Sequence, residues 1–260
     1  MYKYLTYATD KGVATIGLNR AESMNALDLE LLQELSNCFD RCQDDGEIKV
    51  LILRGEGQCF CVGGDIKSMK QAPSRPNLIR MMTLHLHAVT SAIWRMPKPV
   101  IGAVHGIAAG AGFSLALACD LVLATEGTRF GTAYLAIGLS PDGGATFFLP
   151  KVLGLHRAKY LAFTNEMIDA AKGEQLGFVS RVVKEEELMI EAQKLAKKLA
   201  SGPTWAIAKA KELFNNSYPQ DLETHLESER QRITFCSSTH DFDEGLNAFL
   251  AKKPPKFGGT

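Results

Sequence analysis

Three short stretches of this 260-residue chain set glycine or a carboxylate directly beside apolar runs. The first, Gly55-Glu56-Gly57-Gln58-Cys59-Phe60-Cys61-Val62-Gly63-Gly64-Asp65-Ile66, reads as the end of a strand, a loop and a helix start at Asp65. Glycine there admits a ligand close to backbone N–H groups, and a helix start leaves such groups without partners. The second, Ala103 to Gly112 (AVHGIAAGAG), repeats the pattern of strand into glycine-rich helix start. Two such loops in one α/β unit could each offer one N–H to the same carbonyl oxygen, which stabilises an oxyanion. The third, Gly138-Leu139-Ser140-Pro141-Asp142-Gly143-Gly144, holds a carboxylate among Ile137, Phe147, Phe148 and Leu149. An acid in an apolar setting is a better base near neutrality, because desolvation disfavours its charged form. Each stretch also has a plain reading, with Asp65 as a helix cap and Asp142 as an ordinary turn residue.

The elements that must position these groups follow from periodicity. Tyr2 to Tyr7 and Gly12 to Leu18 alternate and are β-branched, so they predict a hairpin turning at Asp10–Gly12. Leu29, Leu32, Leu35 and Phe39 recur at helical spacing behind Asp28, a candidate N-cap. Lys49–Leu53, Pro99–Val104 and Leu121–Ala124 are apolar strands, with a small-residue helix at Gly110–Ala118 between the last two. Such alternation predicts an α/β architecture with helices over the sheet faces. A further helix is expected over Met81–Arg95, carrying His85 and His87, and the Lys67–Leu78 stretch with Pro73 and Pro76 is expected to be a flexible loop. Beyond Leu155 the chain turns helical, with amphipathic stretches at Glu185–Ala200, Thr204–Asn215, Leu222–Phe235 and Asp241–Ala251 and one strand at Val179–Val183. Ser201-Gly202-Pro203 stops one helix and restarts another, which divides the chain into a core over 1–200 and a helical region over 201–260.

Composition narrows the function. Lys+Arg and Asp+Glu are 29 each, so no basic face for nucleic acid is advertised and an anionic ligand must be held locally. No apolar run reaches membrane-spanning length, and the first ten residues lack the pattern of a signal peptide. The six cysteines sit in apolar or helical contexts and read as reduced thiols in a cytoplasmic compartment. Cys59, Cys61 and Cys119 make a weak metal set, so none is expected.

Taken jointly and in order, Cys59-Phe60-Cys61-Val62-Gly63-Gly64-Asp65-Ile66 and His105-Gly106 through Ala118-Cys119-Asp120 resemble the two signatures of the crotonase (enoyl-CoA hydratase/isomerase) superfamily. The resemblance runs from Val13 to Lys253-Pro254-Pro255-Lys256-Phe257. It implies a crotonase-like spiral of ββα units with a C-terminal helical region that helps form a homotrimer, or a hexamer built from two trimers. It also implies an acyl-CoA thioester ligand, with coenzyme A as part of the substrate and no separate cofactor. By position, the N–H groups of Gly64 and Ala111 form the oxyanion hole, alanine replacing the more usual glycine without loss of the backbone donor. Ala26 and Leu27 line the CoA channel, the backbone at Asp65 and Ile66 meets the adenine, and Gly63 and Tyr134 complete the expected binding residues.

Hydratases of this superfamily use two glutamates, and the corresponding positions here hold Ser114 and Tyr134. Neither replaces a carboxylate at neutral pH. Asp142 instead stands where similar enoyl-CoA isomerases with an S-P-[DE]-G turn carry their single acid/base, so the resemblance favours an isomerase. Among the alternatives, 4-chlorobenzoyl-CoA dehalogenases resemble the chain at Asp142, there a nucleophile, and at His87, there a base, but carry tryptophan where Tyr134 stands. His87 reads equally as a surface or packing histidine. A hydratase and a non-catalytic CoA-ester-binding member are the remaining readings.

Overall fold

The structure is a computed structural model and describes residues 2–260. Strands β1 (Leu5–Asp10) and β2 (Val13–Leu18) pair antiparallel, from Leu5↔Leu18 to Asp10↔Val13. Lys11 and Gly12 between them both have positive φ, 49° and 78°, the two-residue turn whose twist matches a hairpin. That turn fixes the register and moves the first strand later than the 2–7 expected from alternation alone. Helix α1 (Leu29–Asp44) starts as foreseen, the Asp28 carboxylate accepting the Leu31 N–H at 2.9 Å, and β3 (Val50–Gly55) lies parallel to β2.

The stretch expected to be a flexible loop over 67–78 is instead largely helical. Helix α2 (Ile66–Gln71) begins at Asp65, whose side chain accepts the Lys67 and Ser68 N–H groups. Helix α3 (Arg75–Arg95) takes Pro76 in its first turn, where a missing N–H costs no hydrogen bond, so it starts well before Met81. Then come β4 (Val100–Val104), β5 (Ile107–Ala109), α4 (Ala111–Ala118), β6 (Leu121–Thr125), β7 (Arg129–Gly131), α5 (Ala145–Leu153) and α6 (Leu155–Thr164). β8 (Ile168–Asp169), α7 (Ala170–Leu176), β9 (Arg181–Val183) and α8 (Leu188–Ala200) complete the core.

A six-stranded sheet has the order β1-β2-β3-β4-β6-β9 and is parallel from β2 onward. A smaller sheet, β5-β7-β8, stands beside it, and Cys61 joins that sheet's edge through a parallel bridge to Ala108. Each turn of the chain therefore places one strand in the large sheet, one short strand or bridge in the small sheet, and then a helix. β3–Cys61–α2/α3, β4–β5–α4 and β6–β7–α5/α6 repeat this step, which is the crotonase-like spiral. Both faces of the large sheet are covered. Val50 and Ile52 pack with Ala192, Ala196 and Ala200 of α8, while the alternate residues Leu51 and Leu53 join α1, α3 and α4 on the opposite face.

After Pro203 the character changes. Helices α9 (Thr204–Asn216), α10 (Leu222–Cys236) and α11 (His240–Leu250) bury little, and α10 buries none of its residues. Phe214, Ile233, Phe249 and Leu250 are strongly exposed. α9 is tied to the core by Lys211, whose ammonium donates to Ile93 O, Lys98 O and the Asp120 carboxylate at 2.6, 3.0 and 2.7 Å. Among the described residues no helix is long and apolar enough to cross a membrane.

Candidate active site

The segment from Cys61 to Asp65 threads between two neighbours. On one side Leu27 N–H donates to Gly63 O at 2.7 Å and Asp65 N–H donates to Leu27 O at 2.8 Å. On the other, Cys61 N–H donates to Ile107 O and Ala109 N–H donates back to Cys61 O. Gly63 makes this approach possible. Its φ is 98°, and a Cβ there would lie 2.9 Å from Ala109 O and 3.3 Å from Ala111 N. A Cβ on Gly112 would similarly meet Cys61 O at 2.3 Å, so glycine lets the start of α4 lie against the first loop. Gly64 N–H and Ala111 N–H, one from each loop, donate to no acceptor among the described residues. Ala111 is the first residue of α4, where no intrahelical partner exists for its N–H.

Both residues line a cavity of about 200 Å³ walled largely by apolar side chains, among them Leu27, Ile66, Met69, Met82, Leu86 and Leu139. Asp142 and Tyr134 are the titratable side chains on that lining. Asp142 is half-buried in a turn held from three directions. Its own carbonyl accepts Ser114 Oγ–H at 2.8 Å and Ala145 N–H at 3.2 Å, and Thr90 Oγ–H donates to Gly143 O at 3.2 Å. Gly143 (φ 60°) and Gly144 (φ 92°) adopt left-handed backbone that a side chain disfavours, and Cβ atoms there would strike Ser114 and Phe148. The Tyr134 phenol donates to Asp142 Oδ1 at 2.7 Å, and Ser114 Oγ lies 2.9 Å from the Tyr134 hydroxyl. Burial, then the Asp142 charge, pushes the Tyr134 phenol far above its ordinary range, so it stays protonated.

The other expected residues fall as follows. Leu27, Gly64, Ile66, Ala111, Tyr134 and Asp142 share the cavity lining, and Gly63 supports it from behind. Ala26 is buried and off the lining, its carbonyl accepting the Arg20 guanidinium. Asp65 also serves the fold. Its N–H is taken by Leu27 O and its carboxylate by the α2 start and by Arg20 at 3.0 Å, leaving half-exposed Ile66 as the member of that pair open to a ligand. His87 is exposed on α3 and is not part of the cavity lining.

Two residues that periodicity does not flag support this site. Arg20 pairs with both Asp65 and Asp28, at 3.0 and 3.3 Å. Asn25 is fully buried with φ 55°, and its amide donates to Glu56 O and Cys59 O, both at 2.8 Å. The signal available in the sequence was slight: an arginine and an asparagine just past a buried strand, where only tertiary partners justify burying them. A larger cavity, about 620 Å³, lies between α9 and the core and contains none of the expected site residues.

This fold, with two free loop N–H groups and a carboxylate in an apolar cavity, is that of an acyl-CoA-processing enzyme of the crotonase type. The chain belongs to the enoyl-CoA hydratase/isomerase family, whose sequence profile matches residues 8–260. It is similar, at 36% identity over the whole of both chains, to the 1,2-epoxyphenylacetyl-CoA isomerase of Escherichia coli K12. It is 32% identical to the crotonyl-CoA hydratase of Syntrophomonas wolfei over 98% of each chain. Among solved structures, an enoyl-CoA hydratase from Bacillus anthracis superposes with a TM-score of 0.94 at 33% identity, covering 99% of this chain and 100% of that one.

Proposed function

We propose that this protein is an enoyl-CoA isomerase that shifts a double bond along an acyl chain, with Asp142 as its single acid/base. The observation that carries the reading is one carboxylate in an apolar cavity alongside two unpartnered backbone N–H groups, Gly64 and Ala111. Asp142 removes a proton from Cα or Cγ of an unsaturated acyl thioester. The C–H electron pair moves into the conjugated system and places negative charge on the thioester oxygen, where the two N–H groups stabilise it. The protonated Asp142 then delivers the same proton to the other end of the dienolate, forming the new C–H bond and regenerating the carboxylate. Atoms and electrons balance without redox change, so the reaction calls for no cofactor beyond the CoA carried by the substrate.

Hydroxyl groups at Ser114 and Tyr134 speak against the hydratase alternative, since water addition in this family depends on a pair of carboxylates there. The exposure of His87 weakens the dehalogenase alternative, which needs a base near Asp142. A non-catalytic CoA-ester binder would have no use for a carboxylate held in an apolar cavity. The reading further takes residues 1–200 as the catalytic core and 201–260 as the region through which copies assemble.

Replacing Asp142 by asparagine tests it directly. Asp142→Asn keeps size and removes the proton acceptor, so 3-enoyl-CoA binding persists while isomerisation falls by a factor of about a hundred or more. Full turnover and full deuterium exchange at Cα in the variant would defeat the reading. Crotonyl-CoA hydration by the unaltered protein should be slow, and a panel of straight-chain, branched and aryl CoA esters identifies the acyl group. Hydration at rates ordinary for a dedicated hydratase would overturn the preference for isomerase.

A further inference from the structure

The positions that hold glutamates in hydratases are filled here by two hydroxyls, of which Tyr134 bonds the Asp142 carboxylate and Ser114 the Asp142 backbone carbonyl. Ser114 is completely buried and Tyr134 is 8% exposed. A phenol has one proton to give. The Asp142 carboxylate oxygen at 2.7 Å outcompetes the Asp142 carbonyl at 3.3 Å, so the proton points at Oδ1. Ser114 Oγ–H donates to Asp142 O at 2.8 Å and holds the turn; with both hydroxyl protons so placed, its 2.9 Å approach to the phenol oxygen is a packing contact that confines the ring. Oδ2 accepts no hydrogen bond among the described residues.

We infer that Tyr134 is a positioning residue for Asp142, its phenol holding Oδ1 so that Oδ2 alone carries the proton in both half-steps. The inference rests on the isomerase reading of the site and adds a geometric rule to it. With one oxygen pinned, abstraction and return occur from the same side of the substrate plane, through the same atom. The phenol is the only side-chain donor to the Asp142 carboxylate among the described residues. The surrounding elements offer little competition. α3 turns Thr83, Leu86 and Thr90 toward the turn, α4 offers Ser114, and α2 offers Ile66 and Met69. Of the charged or titratable side chains on α2 and α3, Lys67, Lys70, Arg75, Arg80, His87 and Arg95 are exposed and His85 is half-buried, none of them on the cavity lining, and Lys151 on α5 lies over the Phe147 ring.

The test uses the full-length protein labelled with 13C at the aspartate γ-carbon. The Asp142 resonance is assigned by its loss in Asp142→Asn. In Tyr134→Phe, which keeps the ring and deletes the donor, the titration midpoint of that resonance should rise by about one pH unit. The acid limb of kcat/KM for 3-enoyl-CoA isomerisation should follow it, and kcat should fall about tenfold with KM little changed. Placing 3-fluorotyrosine at position 134 strengthens the donor, so the midpoint should move the opposite way; this arm stands even if Tyr134→Phe misfolds. A midpoint unmoved by either replacement would overturn the inference. Because the titration needs no substrate, it decides the role of Tyr134 separately from the turnover of Asp142→Asn, which decides the isomerase reading.

Discussion

Asp65 shows how a carboxylate beside the cavity can belong to the scaffold. Burial opposes its ionisation, but the Ser68 N–H, the Arg20 guanidinium and the Lys67 N–H together outweigh that cost and hold its carboxyl below the ordinary 3.8. A depressed folded-state value means that Asp65 contributes stability above its unfolded value and loses it as the pH falls below about 4. Asp65→Asn should therefore lower stability at pH 7 and flatten its decline between about pH 5 and 2, measured by urea denaturation across that range. Gly63 is the other position where residue and function meet. Gly63→Ala puts a Cβ 2.9 Å from Ala109 O at φ 98°, forcing the two loops apart. On the role proposed for the Gly64 and Ala111 N–H groups, loss of one aligned donor should lower kcat by about a hundredfold or more, with thioester binding less affected, as steady-state kinetics would show. At this scale the place of Asp142 on the cavity lining was foreshadowed by the family resemblance of its S-P-D-G-G turn, because a carboxylate between Pro141 and two glycines is by itself an ordinary turn pattern. The Tyr134 contact was not, since it depends on how the turn between them folds back over Ser114.

Among the elements, those with strong period or firm punctuation were readable in advance. α1 announced itself through Asp28 and four spaced apolar residues, and α8 through the amphipathic pattern over Glu185–Ala200. The segment 67–78 misled because its two prolines look like breakers, whereas Pro76 in a first turn starts a helix. α5 is also hard to foresee, with Pro150 inside it. α9 is secured by an ion pair the sequence does not announce. Burial drives the Lys211 ammonium down and the Asp120 carboxyl up, so desolvation outweighs their mutual attraction. Removing one partner then strands the other. Lys211→Met should cost roughly 3–5 kcal/mol in chemical denaturation, and Asp120→Asn in the same chain should return part of that loss.

For the whole molecule, the exposed apolar side chains of α9 to α11 call for a cover. Phe214, Leu226, Ile233, Phe249 and Leu250 lie on helices that bury almost nothing of their own. Light scattering at micromolar concentration should give the mass of a trimer or hexamer, and a stable monomer would count against assembly through this region. The alternation of strand and helix made the α/β class legible. The small second sheet was not, because its strands are two or three residues long and one edge is a single bridge at Cys61.

That bridge has a kinetic consequence. Leu27, Gly64, Ala111 and Asp142 come from successive turns of the spiral, and the contacts joining them close only when each turn has docked on the one before. Long loop closures of this kind are paid for late in folding. In refolding from denaturant, helical signal should return before turnover does, so recovered activity becomes the clock by which completion of the whole spiral can be read.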